Sequence, residues 1–279
     1  MSESSTSPTG LRDAYVQVKD RIEDAAGRKG RKSENVLLVA VTKTASVQRI
    51  ADLHALGHRD FAENRVQQLQ ERVAAVDAII RERGTGNRGQ GKPGTGAPPN
   101  PQSAIRNPQS SSLRWHMIGH LQRNKVKEVV PLTALIHSVD SLRLAEEINA
   151  LGLKRASETE GRDASPQIDI LLQVNIAGED QKFGLPPAAV DAVAEQIASM
   201  LHLRLRGLMT MAPYSDHAEE SRPVFARLAH LYEDLRGKSF VTSAFNLLSM
   251  GMTNDFEVAI EEGANVVRVG RAIFGEMEA

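Results

Sequence analysis

The feature that most limits what this chain can become is an alternation: eight short apolar runs, each about the length of a strand, with helical periods between them. The runs fall at 36–41, 60–62, 115–118, 135–139, 168–174, 203–209, 245–248 and 266–269. Near-continuous apolar strands imply burial on both faces, and a helix between successive strands returns the chain for parallel pairing. Val66, Leu69, Val73 and Val76 repeat at helical spacing, as do Val190, Val193, Ile197 and Met200, and later Phe225, Leu228, Tyr232 and Leu235. Eight such units in an α/β chain favour a closed (β/α)8 TIM barrel over an open sheet, and 279 residues suffice for one barrel of about 250. Leu11, Tyr15, Val18 and Ile22 mark an extra amphipathic N-terminal helix lying on that barrel.

The domain reading follows: residues 1–10 are a disordered N-terminus and 11–279 a single barrel domain. Two stretches interrupt it. Residues 83–112, "RGTGNRGQGKPGTGAPPNPQSAIRNPQSSS", carry almost no large apolar side chain to offset the entropy of ordering, so we read a disordered Gly/Pro-rich insertion. Residues 154–167 read as a shorter polar connection before the fifth strand. With 34 Lys and Arg against 35 Asp and Glu, the chain lacks the basic excess that nucleic acid or an anionic membrane demands, which leaves a small molecule as the default partner. The absence of cysteine excludes disulfides, thiol catalysis and Cys-ligated zinc. No leader-like or membrane-length apolar run is present, so we expect a cytoplasmic protein.

Several apparent motifs are set aside. "GNRGQGKP" at 86–93 imitates a phosphate-binding Walker loop, but Pro93 stands where a hydroxyl should bind magnesium and no strand precedes it. His116 and His120 belong to "WHMIGH", a strand followed by glycine, and His54 and His58 straddle Gly57; neither pair brings a third ligand, so we expect no metal site. The methionines of "TMAPY" and "SMGMT" read as core residues.

Lys43 is harder to dismiss, because "LLVAVTK" runs five apolar residues into a core and sets an ammonium group at the exit. In a βα barrel, functional groups gather at the C-terminal ends of strands. A buried lysine there loses its charge more readily and frees a lone pair to form a Schiff base with an aldehyde. Position alone leaves open a solvent-exposed lysine or an ion pair with Glu63. At the other end of the chain, Ser249 and Gly251 follow the seventh strand, Thr253 or Asn254 caps a helix, and Gly270 and Arg271 follow the eighth. Loops after strands seven and eight are the usual phosphate site of this fold, although glycines there also serve simple turns. A reactive lysine and an anion site on one rim suit an aldehyde that carries a phosphate, and pyridoxal 5′-phosphate (PLP) is the obvious candidate.

The blocks "VAVTKT", "FAENRVQQL", "WHMIGHLQRNKVK", "HSVDS", "LLQVNIAGEDQKFGL", "LRGLMTMAP" and "LLSMGMTNDFEVAIEEGANVVRVGRAIFG", in this order from about residue 36 to 275, resemble the pyridoxal phosphate homeostasis proteins, relatives of the N-terminal barrel of alanine racemase. The resemblance implies Lys43 as the Schiff-base lysine, phosphate contacts near Ser249, Gly270 and Arg271, and Asn64 near the ring. Thr253 departs from the serine more usual in its block, and the 83–112 segment is foreign to the pattern.

By analogy with the racemase barrel, Arg268 faces the pyridine nitrogen, and its alternation with Val267 and Val269 sets it inside the barrel. A guanidinium cannot surrender its proton, so the ring nitrogen stays unprotonated and is a weaker electron sink. Racemisation needs a second base. In the racemase a tyrosine from a C-terminal β domain supplies it, whereas here the sequence ends at Ala279, and only Tyr214 of the three tyrosines lies near a strand end. We therefore expect a PLP carrier without evident catalysis, serving PLP-dependent apoenzymes and existing as a monomer or weak dimer. An amino-acid racemase is the alternative, and a lysine-dependent aldolase acting on a phosphorylated sugar is a third.

Overall fold

Eight parallel strands close in chain order into a barrel: β1 (Leu37–Val41), β2 (Asp60–Glu63), β3 (Arg114–Met117), β4 (Leu135–Val139), β5 (Ile168–Gln173), β6 (Leu203–Met209), β7 (Leu247–Ser249) and β8 (Val266–Val269). Closure is direct: β1 pairs with β8, Val39 opposite Arg268 and Ala40 opposite Val269. The helices are α1 (Leu11–Arg28), α2 (Val47–Ala55), α3 (Val66–Gly84), α4 (Val126–Val129), α5 (Leu142–Ser157), α6 (Val190–Ala198), α7 (Arg222–Arg236), α8 (Phe256–Glu261) and α9 (Arg271–Phe274). This computed structural model describes residues 10–84, 113–158, 167–179 and 183–275. The expected N-terminal tail up to residue 9, the 85–112 part of the insertion and the imitation Walker loop lie outside the described residues.

The eight runs read from the sequence are the eight strands, shifted at their ends. The largest shift is at β7, expected over 245–248 and found at Leu247–Ser249. Phe245 is instead held in a turn, its N–H donating to Thr242 O, with its ring stacked on Tyr232 at 5.0 Å. Two interruptions begin later than their composition implies, because α3 continues through Gly84 and α5 through Ser157. In α5, Leu144, Ala145 and Ile148 are buried, and the polar residues after them extend the helix on its exposed face.

Period-two alternation divides each strand between two cores. Leu37, Val39, Ala62, Leu135, Leu171, Met209, Leu247 and Val266 fill the barrel interior. Leu38, Phe61, Trp115, Ile170, Leu172, Leu208 and Val267 face outward against the helices. The strands are not apolar throughout, however. Asp60, His116, His137, Asp169, Ser249 and Arg268 are all buried as well. Asp60 is paired with Arg114, and Asp169 with Arg204 and Arg206. The N-terminal helix α1 packs on α8 and α9, buries Ala14, Val18 and Ile22, and is tied to α8 by Arg21 to Glu257 at 2.7 Å. No helix among the described residues is long and apolar enough to cross a membrane.

Candidate functional site

A pocket of about 400 Å³ opens at the C-terminal end of the barrel, lined by Lys43, Asn64, His120, Phe183, Tyr214, Thr253, Asn254, Arg268, Gly270 and Arg271 among others. Of the seven residues singled out in the sequence, Lys43, Asn64, Arg268, Gly270 and Arg271 therefore converge on one cavity. Ser249 and Gly251 do not reach its wall.

Lys43 sits in a turn immediately beyond β1, closed by Ala45 N–H donating to Thr42 O at 2.9 Å. Its side chain is exposed, so the burial on which the sequence argument relied is absent. Nor is it paired with Glu63. That carboxylate is fully buried and receives Thr42 Oγ1 and Arg72 Nη1 on a single oxygen, while Arg72 also donates to the carbonyls of Thr42 and Lys43. Glu63 projects from β2 toward the helical layer and Arg72 comes down from α3 to meet it. The two form a bracket behind the turn that fixes the backbone of Lys43 and leaves its amine free to enter the pocket. Sequence reasoning missed Arg72, because nothing local marks it; only the packing of α3 against β2 brings it there.

Arg268 occupies the opposite wall and is almost wholly buried. Burial pushes its pKa down to about 10, against the opposing field of Asp255, so the guanidinium remains charged at neutral pH. Nη2 donates to Thr210 O at 2.8 Å and Nη1 to Ser249 Oγ at 2.5 Å. Ser249 is fully buried, lies 3.0 Å from His137 Nδ1 and sits under the Arg268 guanidinium, away from the pocket wall.

Gly251 has φ +90°, and a Cβ there would lie 2.5 Å from Ala259 Cβ; it turns the chain tightly under α8. Gly270 does line the pocket, and a Cβ on it would come within 2.9 Å of Val41 O, so only glycine lets the β8 exit lie this close to β1. Neither Thr253 nor Asn254 caps α8. The N-cap is Asp255, whose Oδ1 accepts from Met252 N at 2.6 Å, leaving Thr253 and Asn254 to face the cavity. Asn254 Oδ1 accepts from Arg271 Nη2 at 3.4 Å.

The two histidines of "WHMIGH" part company. His116 turns into the barrel toward Asp60 and His137, whereas His120 stays at the mouth, 2.8 Å from Asp140 and stacked on Phe183 at 3.8 Å. Tyr214 lines the pocket but is 72 % exposed, and its hydroxyl donates to Asp216 at 3.0 Å. Asn64 carries a different signal: its Oδ1 is shielded from solvent at the pocket wall without a hydrogen-bond donor. A bound group with a hydroxyl or N–H beside it would satisfy that acceptor.

An eight-stranded barrel with a lysine after the first strand and a glycine-lined exit after the last defines a class, and comparison with known proteins agrees. A family described as "Alanine racemase, N-terminal domain" matches residues 18–278. Within that class, the chain belongs to the pyridoxal phosphate homeostasis proteins. It is 34% identical to the protein of that name from Aquifex aeolicus over 93% of this chain and 95% of the relative. It is 31% identical to that of Homo sapiens over 99% of this chain and 90% of the relative. Among solved structures, PipY of Synechococcus elongatus with PLP bound matches at a TM-score of 0.67 and 28% identity, covering 93% of this chain and 100% of that one. Alanine racemase of Clostridium difficile shares the fold at a TM-score of 0.61 and 13% identity, over 96% of this chain and 57% of that chain.

Proposed function

We propose that this chain binds pyridoxal 5′-phosphate through Lys43 and holds it in reserve for apoenzymes, without catalysis of its own. The observation that carries the reading is the convergence on one pocket of an exposed amine, an unsatisfied acceptor on Asn64, a buried cation at Arg268, and the Gly270–Arg271 exit with Thr253 and Asn254 beside it. That donor set fits the cofactor: an amine for its aldehyde, backbone and guanidinium groups for its phosphate, and a permanent cation for its ring nitrogen. When bound, PLP supplies an aldehyde that condenses with an amine. Lys43 provides the amine from a turn that Glu63 and Arg72 keep in place. Gly270 lets the β8 exit approach closely, and Arg271 adds positive charge there. Arg268 presents a guanidinium that stays charged and would keep the pyridine nitrogen of a cofactor held against it free of a proton, and its electron-withdrawing power low.

Tyr214 supports the absence of catalysis. It is the tyrosine on the pocket wall, yet it faces solvent and its hydroxyl is engaged with Asp216. A racemase needs a second base held over the opposite face of the substrate. The cysteine-free composition suits the reducing cytoplasm in which we expect the protein to act. Borohydride reduction of the PLP-loaded protein, followed by intact mass and peptide mapping, tests the binding. We expect one added cofactor on the peptide containing Lys43; no adduct, or an adduct elsewhere, refutes the reading. Incubation with amino acids in deuterium oxide tests the rest, and enzymatic exchange at the α position would turn the assignment toward a racemase.

A further inference from the structure

A line of side chains runs through the barrel interior from one end to the other. Arg268 Nη1 is 2.5 Å from Ser249 Oγ, Ser249 Oγ is 3.0 Å from His137 Nδ1, His137 Nε2 is 2.9 Å from His116 Nδ1, and His116 Nε2 is 3.2 Å from Asp60 Oδ1. All five residues are buried, and each histidine ring is fully so. Asp60 ends the line at a second cavity on the opposite face of the barrel, where Arg114 Nε binds its Oδ1 at 2.7 Å and Arg59, Tyr15 and Lys19 contribute to the wall. We propose that this line is a one-way hydrogen-bond chain in which His137 and Ser249 act as positioning residues, holding the guanidinium of Arg268 in a single orientation at the pocket wall.

The direction follows from which atoms have protons to give. Arg268 only donates, and the Asp60 carboxylate, ion-paired to Arg114, only accepts. His116 therefore carries its proton on Nε2. A neutral His116 then offers a bare Nδ1, which takes the proton of His137 Nε2. His137 in turn offers a bare Nδ1 to the Ser249 hydroxyl, which leaves Oγ lone pairs for Arg268. Every buried donor and acceptor in the line is used. In the opposite sense His137 would donate to Ser249 alongside Arg268, stranding a buried hydroxyl proton with no acceptor. Burial first, and then the field of Arg268, hold the His137 pKa well below its ordinary value, so this ring is neutral, as the chain requires. A neutral serine under the guanidinium also leaves its positive charge undiminished toward the pocket, where a carboxylate in that place would cancel it.

This inference leans on the PLP reading only for what Arg268 faces, and its main test needs no cofactor. Nitrogen-15 spectra of the histidine-labelled protein near neutral pH, with the eight histidines assigned by single substitutions, report tautomers directly. We expect His116 and His137 both neutral and protonated at Nε2; a proton on Nδ1 of either ring, or a charged ring, overturns the chain. In the same protein Arg268 should show separate Nη resonances from its hindered guanidinium. Those should collapse in Ser249→Ala, with PLP affinity falling about tenfold. Separate Nη resonances in the variant would show that Ser249 does not hold the guanidinium. Should wild-type protein fail to bind PLP while showing these tautomers, the cofactor reading falls and the chain stands.

Discussion

Two cations reach the same pocket by opposite routes. Lys43 is exposed, sits on a turn beyond its strand, and is braced from outside the barrel by Glu63 and Arg72. Arg268 is buried within its strand and braced from inside by Ser249 and Thr210. The difference matches two chemical tasks. A group that must form and break a bond needs freedom at its tip and a fixed backbone, whereas a group that only presents charge is best immobilised entirely, since no reorganisation is then needed when a ligand arrives.

Replacing Lys43 by alanine gives the sharpest test of this division. The borohydride-fixed adduct should vanish entirely, while the melting temperature shifts by about 2 °C or less, because an exposed side chain beyond a strand end contributes little to stability. A large loss of stability would mean that Lys43 belongs to the brace as well as to the site. Next in size is Glu63→Ala. It leaves the Arg72 guanidinium facing the Thr42 and Lys43 carbonyls without its counter-charge, and breaking a buried pair from one side costs about 4 kcal/mol. Urea unfolding measures this. A cost below about 1 kcal/mol, the range of an exposed pair, would show that the bracket behind Lys43 is not a real constraint.

The two cations and the groups that brace them were not equally legible in the sequence. Lys43 announces itself by ending an apolar run, whereas Arg268 stands out by analogy with the racemase barrel, its alternation with Val267 and Val269 adding only that it lies inside. Glu63 was visible only as a conceivable partner for Lys43, and Arg72 not at all, since their meeting depends on how α3 lies across β2. The inward polar line was hidden for a different reason. His116 and His120 are separated by a strand end and a glycine, which speaks against a shared face, and one ring does enter the core while the other stays at the rim; the run itself does not show that the inward ring meets Asp60 and His137. Ser249 is expected just beyond the seventh strand, in the loop to which the resemblance assigns the phosphate; β7 instead runs later than expected and ends on Ser249, which places its side chain under Arg268. Apolar periodicity reports which faces are buried and is silent about polar groups satisfied within them.

The inner route should show itself in acid. His58, fully buried at the lower end near Asp60, has its pKa pushed down to about 4 by burial, ahead of the opposing field of Asp60. Between the ordinary value of 6.5 and about 4, the unfolded chain takes up a proton that the folded chain refuses. Stability is therefore full above that window and falls as pH drops through it, by up to about 3 kcal/mol for this group alone. His137 is shifted in the same direction and adds to the slope. Asp60, lowered from 3.8 to about 2, loses its contribution only at still lower pH. Urea midpoints across the window should decline with falling pH, and His58→Gln should flatten part of that decline. A level profile would mean that the lower end of the barrel is open enough to let these rings charge in place.

The smallest effect separates the turn itself from the helix that follows it. Ser46 caps α2, its Oγ accepting from Arg49 N at 3.3 Å, three residues beyond Lys43. Ser46→Ala should cost about 1 kcal/mol, the usual value of an N-cap. If Glu63 and Arg72 are what hold the turn, fraying the start of α2 will not reach back to the amine, and the rate of PLP attachment should stay within about twofold of wild type. A larger slowing would shift the support of Lys43 from the bracket behind it to the helix ahead, and the contrast with Arg268 would become one between a strand and a helix terminus, no longer one between the outside and the inside of the barrel.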